Sequence, residues 1–333
     1  MYQYTVSCNP TEGQFTTITE ALRSLPTNCD EPITLCIMPG IYHEKLSISR
    51  NRLSLIGMGD SAADTVITYE NFAFDRMPDG SNRGTFRSYS VFVDGNDVTL
   101  QNLTIENASG DENIVGQAIA LYADGDRFSC INCRLLGRQD TLFTGPLPPK
   151  ELQPGGFIGP KQFAPRIPTR QHYQNCYLCG NVDFIFGSAT AYFENCTMES
   201  LSHGPNHGVQ GYVTAPSTPE GQPYGYVFHN CQFITSECGE ETVYLGRPWR
   251  DFAKSVFLDC RVGKHIHPDL FHDWKKPAAR EHSFFATYRL TKMADNNLIT
   301  TNPTDSFAKY LTESEASAYT KQAVLGGSDC WNP

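Results

Sequence analysis

With 333 residues, 40% of them hydrophobic and 19% charged, the chain has the composition of a soluble globular protein with room for a large core. It holds no run of about 18 apolar residues, which argues against a membrane-spanning helix. The formal net charge of −10 and the lack of a long Lys/Arg run argue against nucleic acid or an anionic membrane as partner. Met1-Tyr2-Gln3-Tyr4-Thr5 lacks the charged start and apolar stretch of a secretion signal, and twelve cysteines in that context are expected to stay reduced. A cytoplasmic location is therefore expected; recovery of the native protein from a culture supernatant would contradict it.

Thr17-Ile18-Thr19-Glu20 reads as a capping box opening a short amphipathic helix, with Ile18, Ala21, Leu22 and Leu25 on one face, placed to cover an open end of the fold. Leu53 to Ile56, Val98 to Ile105 and Ser255 to Leu258 read as strands. Gly57-Met58-Gly59-Asp60-Ser61-Ala62 matches a dinucleotide-binding fingerprint in letters only, because Thr65-Val66-Ile67-Thr68 continues as strand where a helix is needed; it is read as a turn. Asn or Asp precedes Cys133, Cys176, Cys196, Cys231 and Cys260, each inside a strand-like run such as Tyr226 to Ile234, and these cysteines read as inward-facing ladder positions. Gln117 and Gln139 are 22 residues apart and Cys176 and Cys196 are 20 apart, with turn signals such as Asp124-Gly125-Asp126 between. A period of 20 to 22 with short strands predicts an all-β, single-domain parallel β-helix over residues 1–333. Leucine-rich repeats share the period but need a regular leucine signature that is missing here.

One stretch breaks the period. The excess runs from Gly145 to Arg170 and carries Pro146, Pro148, Pro149, Pro154, Pro160, Pro165 and Pro168. It reads as a loop, either a cleft wall or lid or a tolerated surface insertion. The tail from Tyr310 to Ala323 reads as a helix or wrapping segment that shields strand edges.

The most informative feature is an internal repeat. Aligning Asn132-Cys133 with Asn175-Cys176 brings Gly137 onto Gly180, Asp140 onto Asp183, Leu142 onto Ile185 and Phe143 onto Phe186. Strands of adjacent rungs lie about 4.8 Å apart, so the two carboxylates become neighbours able to hold different protonation states. Other clusters are weaker. Cys130/Cys133 with Cys176/Cys179 imitate a zinc site, but the Asn-Cys repeat already explains one member of each pair. His203 with His207, and His265, His267 and His272 with Asp269 and Asp273, have tolerable ligand spacing but read better as loop residues. No Gly-x-Ser-x-Gly supports a serine esterase.

Five motifs in order resemble the pectin methylesterases, or pectinesterases: Thr85-Phe86, Gly116 to Leu121, Gly137-Arg138-Gln139-Asp140-Thr141-Leu142, Val182-Asp183-Phe184-Ile185-Phe186-Gly187, and Leu245-Gly246-Arg247-Pro248-Trp249. The resemblance implies a right-handed β-helix that demethylates galacturonan or its oligomers, without cofactor or metal. It implies Asp183 as nucleophile, Asp140 as general acid and then base, Gln117 and Gln139 as oxyanion donors, and Arg247 as partner of the nucleophile. Thr85, Val182, Phe186 and Trp249 match substrate-contacting positions, whereas Phe143 reads as packing. A regular strand sends Gln139 and Asp140 to opposite faces, so a bulge, bend or strand end is expected there. Methylated galacturonan is the expected partner, and a monomer the expected state. The alternatives are a polysaccharide lyase, which needs acidic calcium-binding clusters, an esterase or thioesterase acting on another acyl group, and an inactive glycan-binding solenoid.

Overall fold

A computed structural model describes residues 2–26, 31–204, 207–299 and 307–333. Its strands form three parallel sheets, which among the described residues hold eleven, seven and nine strands. The central coils give one strand to each sheet in turn, as with Phe128–Ile131, Arg134–Leu136 and Leu142–Thr144. The following coil, Arg170–Gln174, Tyr177–Gly180 and Val182–Gly187, lies on it in parallel register. This is a parallel β-helix, and the pairing Leu142 with Ile185 and Phe143 with Phe186 is the register read from the repeat.

Because each coil is a translation of the last, like residues stack. Tyr173, Phe193, Phe228 and Phe257 pair in register in the eleven-stranded sheet. Their rings stack with centroids 4.5, 4.6 and 4.8 Å apart, close to the strand spacing itself. The cysteines stack similarly, with Cys133, Cys176, Cys196, Cys231 and Cys260 all buried. Each thiol donates to a carbonyl of the preceding coil, for example Cys176 to Cys130 at 3.2 Å and Cys231 to Phe193 at 3.5 Å.

These cysteines face inward as expected, but they do not lie inside strands. Asn132, Asn175, Asn195, Asn230 and Asp259 have φ between 52° and 55°, a left-handed conformation that Asn and Asp tolerate better than most residues. That conformation bends the chain from one sheet into the next. The run Tyr226 to Ile234 is therefore two strands, Tyr226–His229 and Gln232–Ile234. Val98 to Ile105 divides likewise at Asn102, φ 53°.

The N-terminal helix spans Ile18–Ser24, and Thr17 accepts the Glu20 amide at 3.1 Å. The expected return bond of the capping box is replaced. Glu20 binds the Thr16 hydroxyl, and Glu44 takes the Ile18 and Thr19 amides at 2.9 and 2.8 Å. At the other end, short helices Glu313–Ala316 and Lys321–Leu325 pack Val324 and Leu325 on Tyr192, Val227 and Val256, the outer face of the eleven-stranded sheet. The tail is thus a wrapping segment broken into short turns, but these helices cover a face of the sheet where edge shielding was expected, while Lys309–Tyr310 pairs with Phe284–Tyr288 at the edge. The Gly57–Ala62 stretch is a turn, held by Asn102, whose amide donates to Gly57 and Gly59 carbonyls at 2.9 and 2.8 Å.

The 145–170 segment is packed, not draped. Phe157 is buried edge-on to Phe86, with centroids 5.7 Å apart. Arg166 donates to the carbonyls of Pro148, Lys161, Gln162 and Ala164, and Thr169 closes the base on Gly145 at 2.6 Å. Lys161 reaches Asp94 and Asp124 at 3.7 and 3.6 Å. Burial pushes the Asp124 carboxyl up to about 7, with Lys161 pulling the other way.

Candidate active site

The site lies along the seven-stranded sheet. Asp140 lies two residues before strand Leu142–Thr144, has φ 65°, and donates its amide to the Val182 carbonyl at 3.1 Å. The bend expected at Gln139-Asp140 is therefore present. Asp183 also has a positive φ, 52°, although it sits within strand Val182–Gly187. There the register against Gly211–Pro216 shifts between Val182 and Ile185. A left-handed residue breaks the alternation of a strand and re-aims its side chain. The same device at equivalent positions of two coils turns both carboxylates to one cleft.

That cleft, about 460 Å³, is lined by Gln117, Gln139, Asp140, Asp183 and Arg247, with Thr85, Phe186 and Trp249. Val182 is not among its lining residues; it contributes the carbonyl that anchors Asp140. Phe143 is fully buried beneath, 4.9 Å from Phe186 and 4.6 Å from Tyr122 between ring centroids, in the packing role expected.

The two aspartates are nearly equally exposed, 7% and 8%, yet differently surrounded. Arg247 donates Nε to Asp183 Oδ1 and Nη2 to Oδ2, both at 2.7 Å. This planar two-bond fit is the strong form of a charge-assisted pair. The guanidinium lies 3.7 Å from the ring centroids of both Tyr212 and Trp274, so it is held face and back. Among the described residues, none pairs with Asp140 in this way. Burial and then the facing Asp183 push its carboxyl well above the ordinary carboxylate range, and Arg247 opposes them only in part.

Gln117 and Gln139 sit on successive coils, tied by the Ala118 amide donating to the Gln139 carbonyl at 3.1 Å. Both neighbourhoods are braced by Glu112, which accepts from Arg138 Nε at 2.6 Å and bonds His203 Nδ1 at 2.7 Å. His203 thus holds a loop, and His267 and His272 accept the backbone amides of Asp269 and Trp274 at 3.1 and 3.0 Å.

With this geometry in view, similarity to known proteins is specific. The Pectinesterase profile matches residues 4–146 and 166–328. The chain belongs to the pectinesterase family. Pectinesterase 31 of Arabidopsis thaliana is 31% identical over 83% of this chain and 79% of its own length. Probable pectinesterase/pectinesterase inhibitor 23 of the same plant is 29% identical over 96% of this chain, which spans about half, 52%, of that protein. Two solved structures, a pectin methylesterase in complex with a hexasaccharide and the pectin methylesterase from Erwinia chrysanthemi, each match at 29% identity with a TM-score of 0.78. They cover 100% of this chain and 99% and 98% of their own.

Sequence reasoning missed several parts of this pectinesterase-family site. Phe86 lines the cleft from a quoted motif that had assigned a role only to Thr85. Tyr212 and Trp274 had no local signal, since neither belongs to a motif and only the fold brings them to Arg247. Leu152, Gln153, Gly156 and Phe157 of the 145–170 segment line the cleft. Of the two readings of that segment, the wall is the one found.

Proposed function

We propose that this pectinesterase-family enzyme hydrolyses methyl-esterified galacturonan, releasing methanol and a free carboxylate, with Asp183 as nucleophile and Asp140 as acid and then base. The observation that carries the reading is the unequal setting of two aspartates on neighbouring coils. One is bound through both oxygens by Arg247; the other is buried beside it with its carboxyl pushed toward the protonated form.

An Asp183 oxygen attacks the C6 carbonyl carbon of a methylated unit, and the carbonyl oxygen becomes the oxyanion of a tetrahedral intermediate. The side-chain amides of Gln117 and Gln139 line the same cleft and can donate to that oxygen; each such donor contributes on the order of 100-fold in rate. Collapse breaks the bond to the methoxy oxygen, which takes the Asp140 proton and leaves as methanol. The acyl group remains on Asp183 as an anhydride. Asp140, now a carboxylate, takes a proton from water as that water attacks the acyl carbon. Cleavage of the anhydride restores Asp183 ionised and Asp140 protonated, and the product acid keeps the second proton of the water until it ionises in solvent.

The names of the relatives, and the hexasaccharide in one matched structure, support a pectin-type substrate. The faces of Phe186 and Trp249 suit the apolar side of sugar rings. Action on short oligomers by a monomer in the cytoplasm completes the reading. The test is methanol release from highly methylated pectin and from short methylated oligogalacturonides, with Asp183→Asn as control and ultraviolet absorbance followed. Methanol only with intact Asp183, without absorbing unsaturated ends, is expected. Absorbing products would point instead to a lyase, and no methanol from folded protein would end the galacturonan assignment.

A further inference from the structure

We propose that the 147–165 segment is a specificity determinant, and that its Leu152 and Phe157 recognise a methyl-esterified, uncharged sugar unit next to the one being hydrolysed. The inference rests on the galacturonan reading above and adds a selectivity to it.

The Pectinesterase profile matches the chain on both sides of this segment and skips the segment itself. The extra chain is nonetheless a built part of the cleft. Phe157 is locked edge-on to Phe86, and the centroid of its ring lies 6.4 Å from that of Trp249. Arg250 Nη2 donates to the Lys150 carbonyl at 3.1 Å, tying the segment to the turn that carries Trp249. Below, Lys161 stands between Asp94 and Asp124.

What the segment shows to the cleft is uncharged: Leu152, Gln153, Gly156 and Phe157. Leu152 is 71% exposed, an apolar side chain held over an open groove. Of the cations lining the cleft, Arg247 is bound to Asp183, and Arg250 stacks on Trp249 at 4.7 Å and directs Nη1 and Nη2 to the Trp249 and Lys150 carbonyls. A free carboxylate seated against Leu152 and Phe157 would lose water and find on this wall the neutral Gln153 amide but no cation, whereas a methyl ester would gain apolar contact. The wall therefore favours heavily esterified stretches.

The test compares methanol release per ester from galacturonan of high and of low methyl esterification, using the wild-type chain, Leu152→Ser and Leu152→Asp, with Asp183→Asn as blank. Leu152 is exposed, so circular dichroism should be unchanged. We expect the wild type to favour the highly esterified substrate in kcat/KM. Each CH2 equivalent of lost contact should lower that preference about 4-fold, mainly through KM, with Leu152→Asp the lower of the two variants. An equal preference in all three active proteins, or a wild type favouring the sparsely esterified substrate, overturns the inference while leaving the esterase reading intact. No methanol from either substrate with folded wild type removes the esterase reading and the inference with it.

Discussion

The pair Asp140 and Asp183 shows how two identical side chains acquire different chemistry. Their backbones share a left-handed conformation, and both line one cleft. Arg247 is what separates them. Because the Asp140 carboxyl is raised by burial and by Asp183, folding favours its protonated form. Its contribution to stability is complete below the ordinary carboxylate range and is lost as pH climbs through the raised value. Turnover should fall as pH climbs through that raised value and Asp140 loses its proton. Asp140→Asn should abolish turnover, yet its melting temperature should decline less than the wild type's as pH rises from the ordinary carboxylate range through that raised value. Parallel melting curves of Tm against pH for the two proteins would refute this assignment of the acid.

At the scale of the element, the corner between sheets explains both a success and an error of sequence reading. The Asn-Cys repeat is legible because each coil meets the next with the same side chains, and the cysteine ladder follows. The bend at each Asn was not legible, because alternation arguments assume extended backbone throughout. Asn230 illustrates the energetics, with φ 53° and its side-chain amide donating to Asn195 Oδ1 at 2.6 Å. Asn230→Ala forces an alanine into the left-handed region and should cost about 1–2 kcal/mol. Asn230→Gly loses only the partly exposed side-chain bond and should cost less. Urea unfolding of the two variants checks the order; an equal loss would mean that the side-chain bond, not the backbone, dominates.

For the whole molecule, the question is how the segments outside the coils are held to them. One such segment is the tail, whose Val324 and Leu325 cover apolar side chains on the outer face of the eleven-stranded sheet. Arg170 and Lys321 add ties to Asp329 and Glu194. Leu325 is fully buried, so Leu325→Ala should destabilise by about 2–5 kcal/mol, read as a lower denaturation midpoint. A change within experimental error would mean that the tail can leave the sheet without cost to the coils. The 145–170 segment is another, joined to the coils through Phe157 and Lys161 and to the Trp249 turn through Arg250.

The sequence by itself determined the stacked cysteines and the alignment of Asp140 on Asp183, while the resemblance of its motifs implied the bend at Gln139-Asp140. The first two depend on translation along one axis, which a repeat encodes directly; the expected coil length of 20 to 22 holds where Leu121 pairs with Leu142, but not where Val91 pairs with Leu121 or Leu46 with Val91, because the loops between strands differ in length. Only the tertiary structure decided that Tyr212 and Trp274 enclose Arg247, that Glu112 joins Arg138 to His203, that Asp183 is itself left-handed within a strand, and that Leu152 and Phe157 wall the cleft. These contacts run between loops of unequal length, whose directions are set by what they pack against, and no period in the chain records that.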